Sequence, residues 1–262
     1  YVDHIADHAK IDLLEVRITT LAPSYLPPRR QDVNPLFSVG CVSPLTLGKS
    51  VGAVQPVTRM LFLDKPEEQL LMEMDTNCRA AVRQGERNGL KFVENNSTDS
   101  LKAYLSLHHE SWDRTGLIPH SFRYFEDMRD ALLPSNSVKF FFVVHEGREI
   151  AAVIIHIYKE GAYYWAGCSA TDSLKLRPNN FLLWNVVKWA KCNGLRYFEI
   201  GQYYPFPTGD SKEYAVGKYK AHFGVDELVS YNGQKIYRTK TFLILNILRS
   251  MKVMLKSLFK KS

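Results

Sequence analysis

The run 166–180, AGCSATDSLKLRPNN, is where residue types first point to chemistry. A strand-like stretch ends there, a polar loop follows, and a helical pattern opens at Asn180, where asparagines can cap it. Helix N-termini offer unpaired N–H groups and a positive dipole end, which suits a phosphate or carboxylate. Lys175 and Arg177 add formal charge at that point; a capped helix with two solvated cations accounts for the same residues equally well. Aromatic residues gather at the same end of the predicted sheet: Tyr163, Tyr164, Trp165, Tyr203, Tyr204 and Phe206. Tyr203-Tyr204-Pro-Phe-Pro falls in a loop, and a ligand groove is one reason to place aromatic residues there.

Other chemistries lack their anchors. His4 and His8 have the i, i+4 spacing of helical metal ligands, but no third ligand joins them and no HExxH occurs. His108 and His109 are adjacent and face different ways, so no metal site is expected. There is no GxSxG, no GxxxxGK[ST] and no dinucleotide-binding glycine pattern, which removes the usual hydrolase, NTPase and dehydrogenase signatures. Cys41, Cys78, Cys168 and Cys192 show no CxxC or Cys/His ligand spacing and are read as reduced thiols. Arg79, Arg83 and Arg87 recur every four residues as one basic helical stripe, a solvated face by default and a contact for RNA or anionic lipid otherwise.

These residues must be positioned by a folded frame. With 45% apolar and 23% charged residues over 262, the chain has the composition of a globular protein, and disorder throughout is excluded. No apolar run reaches the roughly 18 residues of a spanning helix. A net charge of +7 favours anionic partners. The chain opens on a helical stripe, Val2, Ile5, Ala6 and Ala9, as if a portion preceded it. The strand DLLEVRIT follows. Residues 20–55 are rich in proline and read as a long irregular connection. VTRMLFLD is a strand, Pro66 begins one helix running to Gly89, and LKFVE is a strand. Two helices come next, residues 99 to about 114 capped by Asp99, and 122 to about 133. VKFFFVV, IAAVIIHIY and AYYWAGC then make an antiparallel meander. A helix over 180–192 delivers the strand LRYFEIG, and a short helix covers EYAVGKYKAHFG. Two last strands, ELVSY and KIYR, flank the hairpin signal Asn232-Gly233. The fold class is mixed α/β (α+β), a sheet flanked by helices. The early helix–strand pair faintly repeats the later one.

Four stretches, in this order, resemble the GNAT acyltransferase superfamily: CRAAVRQGERNGLKF, HHESWDRTG, RPNNFLLWNVVKWAKCNGLRYFEIG and GKYKAHFG. Within it they are most similar to the Fem-type aminoacyltransferases of peptidoglycan cross-bridge synthesis and their acetyltransferase relatives. The resemblance implies tandem GNAT-like domains. Residues 89–237 form a complete copy, 1–65 the closing part of a first, incomplete one, and 66–88 a basic linking helix. It implies transfer of an acyl or aminoacyl group onto an amine, with aminoacyl-tRNA or acyl-CoA as donor substrate and no tightly bound cofactor. The acceptor class would include cell-envelope precursors. The (Q/R)xxGxG/A loop of CoA-using members is replaced by SLKLRPNN, which leaves tRNA or a divergent CoA mode open.

Carried onto this sequence, the resemblance assigns Lys220, in Tyr219-Lys220-Ala221-His222-Phe223-Gly224, to oxyanion stabilisation. Glu199 accepts a proton or orients the amine, and Trp112, Arg114 and Tyr164 meet the acceptor. Lys175, Arg177, Asn180, Tyr203 and Tyr204 complete the substrate-binding set, and His222 is the one histidine placed to act as a base. The strands beside the helix of Trp184 and Trp189 are expected to splay, with that helix threaded between them. From Leu228 onward there is no acidic residue. The tail 238–262 is basic and amphipathic, with Leu243, Ile247, Met251, Met254 and Leu258 on one side. Residues 240–262 suit an anionic membrane surface and equally a further part of the protein. The location expected is cytoplasmic, peripheral at the inner membrane face. The alternative reading is a GNAT-like shell without chemistry that binds RNA or anionic membrane.

Overall fold

The computed structural model describes residues 13–19, 57–115, 119–203 and 212–238, with Ile11, Cys41 and single positions between 240 and 251. The helix expected at residues 2–9 and the connection over 20–55 lie outside the described residues, apart from buried Cys41. The chain divides into two compact units. One is drawn from Arg59–Tyr203 with Pro207–Glu227, the other from Tyr1–Thr58, Tyr204–Phe206 and Leu228–Ser262.

In the larger unit β2 (Val57–Phe62), β3 (Lys91–Glu94), β4 (Val138–His145), β5 (Arg148–Tyr158), β6 (Gly161–Ser169) and β7 (Tyr197–Tyr203) form a sheet of order β2-β7-β6-β5-β4-β3. β3 to β6 are successively antiparallel, while β6 and β7 are parallel. The β4–β5 turn is closed by Glu146 and Gly147 at positive φ (49° and 79°), the reversal expected from HEGRE. The central strands are apolar without alternation because both faces are covered. Phe141, Val143, Ala151, Val153 and Ile155 face one core, shared with α1 (Glu67–Glu73), α2 (Thr76–Arg87) and α5 (Pro178–Cys192). Phe140, Phe142, Ala152 and Ile154 face the other, under α3 (Thr98–Thr115) and α4 (Phe122–Leu132). The expected mixed sheet flanked by helices is what the chain forms.

Several elements differ from expectation for identifiable reasons. The single helix over 66–88 is two. Met74 is extended, Asp75 caps α2 by accepting the Asn77 N–H (2.8 Å), and Arg79 donates to the carbonyls of Met72 and Met74. Arg79 therefore ends α1 instead of joining a solvated stripe, while Arg83 and Arg87 are exposed. Asp99 lies inside the first turn of α3, and the capping bond is made by Ser97 Oγ to the Ser100 N–H (3.2 Å). In the smaller unit, β8 (Asp226–Ile236) is one continuous strand antiparallel to β1 (Leu13–Thr19). Asn232 and Gly233 are paired with Arg17 and Val16 inside that ladder, and neither has positive φ. Pairing along the whole of β1 overrides the local turn preference.

α3 carries a buried aromatic file. The His108 ring lies 3.9 Å from the Trp112 ring and 4.9 Å from Phe125, and Tyr104 is 5.0 Å from Phe125. His108 Nε2 accepts the His120 N–H (3.1 Å), so the neutral ring carries its proton on Nδ1, which has no hydrogen-bond partner among the described residues. Burial first, then His120 and His109, lowers its pKa to about 4. Between about pH 6.5 and 4 the unfolded chain binds this proton and the folded chain does not, so stability falls as pH falls through that window. Urea denaturation should show the wild type losing about 3 kcal/mol more than His108→Gln between pH 7 and pH 4. Parallel losses in the two proteins would contradict the assignment.

Candidate functional site

Among the described residues β6 and β7 are paired at three positions: Gly161 with Tyr197, Ala162 with Phe198, and Tyr163 with Glu199. Beyond Tyr163, β6 runs on to Ser169 beside β5, and β7 diverges from it. Each strand is distorted where they part. Ile154 faces Ala166 and Ile155 faces Tyr164, so Trp165 is an inserted residue that bends β6. In β7, Gly201 has φ 110°, which side-chain-bearing residues rarely adopt. The expected splay is present. The helix of Trp184 and Trp189 does not thread it; α5 packs on the sheet face, with Trp189 edge-on to Phe141 of β4 at 4.8 Å.

Lys220 stands at the mouth of the gap. It projects from α6 (Lys212–Ala221), donates from Nζ to the Ile200 carbonyl of β7 (2.6 Å), and lies 4.5 Å from the centre of the Tyr164 ring of β6. α6 is held firmly. Arg59 Nη1 donates to the Gly217 carbonyl (2.5 Å), the Asp75 N–H donates to the His222 carbonyl (2.9 Å), and Tyr219 meets Phe223 edge-on at 5.5 Å. Gly224 turns at φ 69° against Glu73, whose backbone leaves no room for a Cβ. Tyr164 in turn lies over Gly167, where a Cβ would collide with its hydroxyl.

Protonation follows from burial. Desolvation, with a smaller contribution from Cys168, holds the Tyr164 hydroxyl above its usual range; desolvation also raises Tyr219 and the Cys168 and Cys78 thiols. At neutral pH the Tyr164 phenol next to Lys220 is therefore neutral, as are the Tyr219 phenol and the Cys168 and Cys78 thiols. A buried thiol kept protonated is a poor nucleophile, so the arrangement fits direct transfer between two bound substrates better than an acyl-cysteine intermediate.

The other sequence-assigned residues are distributed as follows. Glu199 is half-buried at the last β6–β7 pair. Lys175 and Arg177 are exposed in the loop after β6; the Lys175 carbonyl accepts from Gln84 (3.2 Å), and Arg177 caps α5 from the left-handed region, φ 60°. α5 starts at Pro178, earlier than expected, so Asn180 lies in its first turn and donates to Cys78 Sγ (3.4 Å). Trp112 is half-buried against His108. Arg114, expected to meet an acceptor, donates to the Ser169 carbonyl (3.3 Å) and Thr171 Oγ1 (2.6 Å). The His222 backbone tethers α1 and α2 to α6 through the Asp75 contact. The Tyr203 side chain and Tyr204 lie outside the described residues. Sequence reasoning missed Gly201, Ser111 and Glu110. Gly201 had a signal, a glycine within a strand pattern; the other two had none.

Residues 73–219 match the acetyltransferase (GNAT) domain family, and the chain belongs to it. It is 21% identical to a lipid II:glycine glycyltransferase of Staphylococcus epidermidis, covering 68% of this chain and 57% of that one. It is also 21% identical to a lipid II:glycine glycyltransferase of Staphylococcus aureus, covering 68% and 58%. The chain thus spans under three fifths of the length of these curated relatives. Among solved structures its fold resembles FemX, with a TM-score of 0.72 at 15% identity over 94% of this chain and 77% of that one.

Gly201→Ala should cost about 1–3 kcal/mol, since φ 110° is unfavourable for alanine and its Cβ would come 3.0 Å from Lys220 Nζ. Gly161→Ala, where the nearest atom is the Tyr158 carbonyl at 3.5 Å, should cost less than about 1 kcal/mol. Equal urea midpoint shifts for the two variants would contradict this account of the bend.

Proposed function

We propose that this GNAT-family chain transfers an acyl or aminoacyl group from an activated ester or thioester to an amine. The carrying observation is the Lys220 ammonium fixed where β6 and β7 part, in contact with both strands. Attack of the amine on the acyl carbon forms the C–N bond and moves the carbonyl electron pair onto oxygen. A fixed ammonium beside that oxygen lowers the barrier because its charge is already in place. Collapse restores the carbonyl and expels the alcohol or thiol of the donor. The proton lost by the amine passes to Glu199, at the last paired position of β7, and from it to the departing oxygen or sulfur of the donor. Alignment of the two substrates in the gap supplies the remaining advantage.

Aminoacyl-tRNA is the favoured donor class, with acyl-CoA as the second. The names of the glycyltransferase relatives point to an aminoacyl group as the one transferred, and SLKLRPNN in place of a glycine-rich loop agrees with a donor other than CoA. Lys175 and Arg177, exposed beside the start of α5, suit an anionic part of the donor. Trp112 and Tyr164 are assigned to the acceptor, a cell-envelope precursor carrying a primary amine. Of the tail assigned to anionic membrane, Lys240, Leu243, Ile244, Ile247 and Met251 are helical and exposed. The four apolar ones lie on a helical spacing that suits a bilayer surface. Among the described residues no helix is long and apolar enough to cross a membrane.

Lys220→Ala should lower kcat about 100-fold or more with glycyl-tRNA or acetyl-CoA as donor and an amine-bearing muropeptide as acceptor, with the donor KM changed little. A variant at full rate would overturn the assignment. Ile247→Asp with Met251→Asp should reduce sedimentation with phosphatidylglycerol vesicles at least tenfold. Unchanged partitioning would remove the membrane contact.

A further inference from the structure

The parting of β6 from β7 leaves backbone groups of β6 without a strand to bond. In an antiparallel ladder successive residues turn their N–H and C=O to opposite sides. The Ala170 N–H bonds the Ile150 carbonyl of β5 (2.9 Å), so Ser169 turns both of its groups the other way, toward the side β7 has left. Ser111 of α3 takes both: its Oγ donates to the Ser169 carbonyl (3.1 Å) and accepts the Ser169 N–H (3.0 Å). Ser111 and Ser169 are buried, 5% and 2% exposed, so these bonds have no water to replace them.

The neighbours of Ser111 extend the contact along the loop. Arg114 donates to the Ser169 carbonyl and Thr171 Oγ1, and Glu110 accepts the Thr171 N–H (2.6 Å). From the other side Arg148 donates to Asp172 (2.6 Å) and Ser173 Oγ (3.2 Å), and Asn179 of α5 donates to Ser169 Oγ (3.2 Å). One helix turn of α3 thus holds the end of β6 and the segment leading to Lys175, Arg177 and α5.

We propose that Ser111, with Glu110 and Arg114, is a positioning latch that stands in for the missing strand and fixes the donor-binding loop. Resting on the transferase reading, it makes a specific separation. Ser169 is five residues beyond Tyr164, roughly 17 Å along the strand, so the latch governs the end of the donor remote from the acyl carbon. Its loss should appear in donor KM and not in kcat.

The test measures amide exchange and steady-state kinetics of the same variants, Ser111→Ala and Glu110→Ala. Exchange in peptides covering 169–177 should rise at least tenfold while β4 and β5 peptides keep wild-type rates, which also certifies folding. With glycyl-tRNA or acetyl-CoA, whichever the wild type uses, donor KM should rise about tenfold, with kcat and acceptor KM within threefold. Unchanged exchange at 169–177 overturns the latch. A loosened loop with unchanged donor KM, or a loss confined to kcat, overturns its role in donor binding. A wild type silent with both donors instead refutes the transferase reading, and exchange still decides whether the latch exists.

Discussion

Two parallel strands cannot part inside a folded core without leaving buried N–H and C=O groups that need partners. The rest of the larger unit is arranged around that constraint. β6 and β7 separate after three pairs, and a different side chain addresses each diverging strand. On β6 the Ser111 hydroxyl takes both groups of Ser169; on β7 the Lys220 ammonium takes the Ile200 carbonyl. A hydroxyl is suited to the first position because it donates and accepts at once. An ammonium only donates, and it brings a charge. The two diverging strands are therefore addressed by unlike groups, a hydroxyl on β6 and a lysine on β7.

That asymmetry links structure to chemistry. The Lys220 side chain faces the Tyr164 ring, an electron-rich surface that favours a nearby cation. Burial keeps the Tyr164 and Tyr219 phenols and the Cys168 thiol protonated, so none of the three is an anion at neutral pH. In the proposed transfer, a carbonyl oxygen gaining negative charge would meet a donor already in place. The helix that carries Lys220 is anchored to three other elements, by Arg59, by Asp75 and by the close approach of Gly224 to Glu73. Such anchoring is what a preorganised charge requires.

Much of this frame was legible in the residues. Apolar runs with short glycine-bearing turns gave the β4–β5–β6 meander, and the mixed sheet followed from the order of elements. Local signals failed where long-range pairing outweighed them. Asn232-Gly233 is built into β8 by its ladder with β1, and the apparent single helix over 66–88 breaks because Asp75 caps a new start while Arg79 closes the old end. At the site, Lys220 was reachable through the resemblance carried by GKYKAHFG, yet its partners, a backbone carbonyl and a tyrosine ring distant in sequence, have no sequence signature. Arg114 shows the converse: a residue type suited to anions is engaged by the backbone of its own protein. Ser111 was silent because a serine in a helix looks alike whether it caps a strand or faces water.

Cross-linking across the gap tests the separation of β6 and β7 most directly. Continuing the observed register would set Ala166 opposite Gln202, as Tyr163 is opposite Glu199. Paired positions fall within disulfide reach, whereas diverged ones do not. Under mild oxidation, with linked peptides identified by mass, Tyr163→Cys with Glu199→Cys should form a bond readily. Ala166→Cys with Gln202→Cys should not. Equally fast closure at both pairs would show the strands joined throughout and contradict the account.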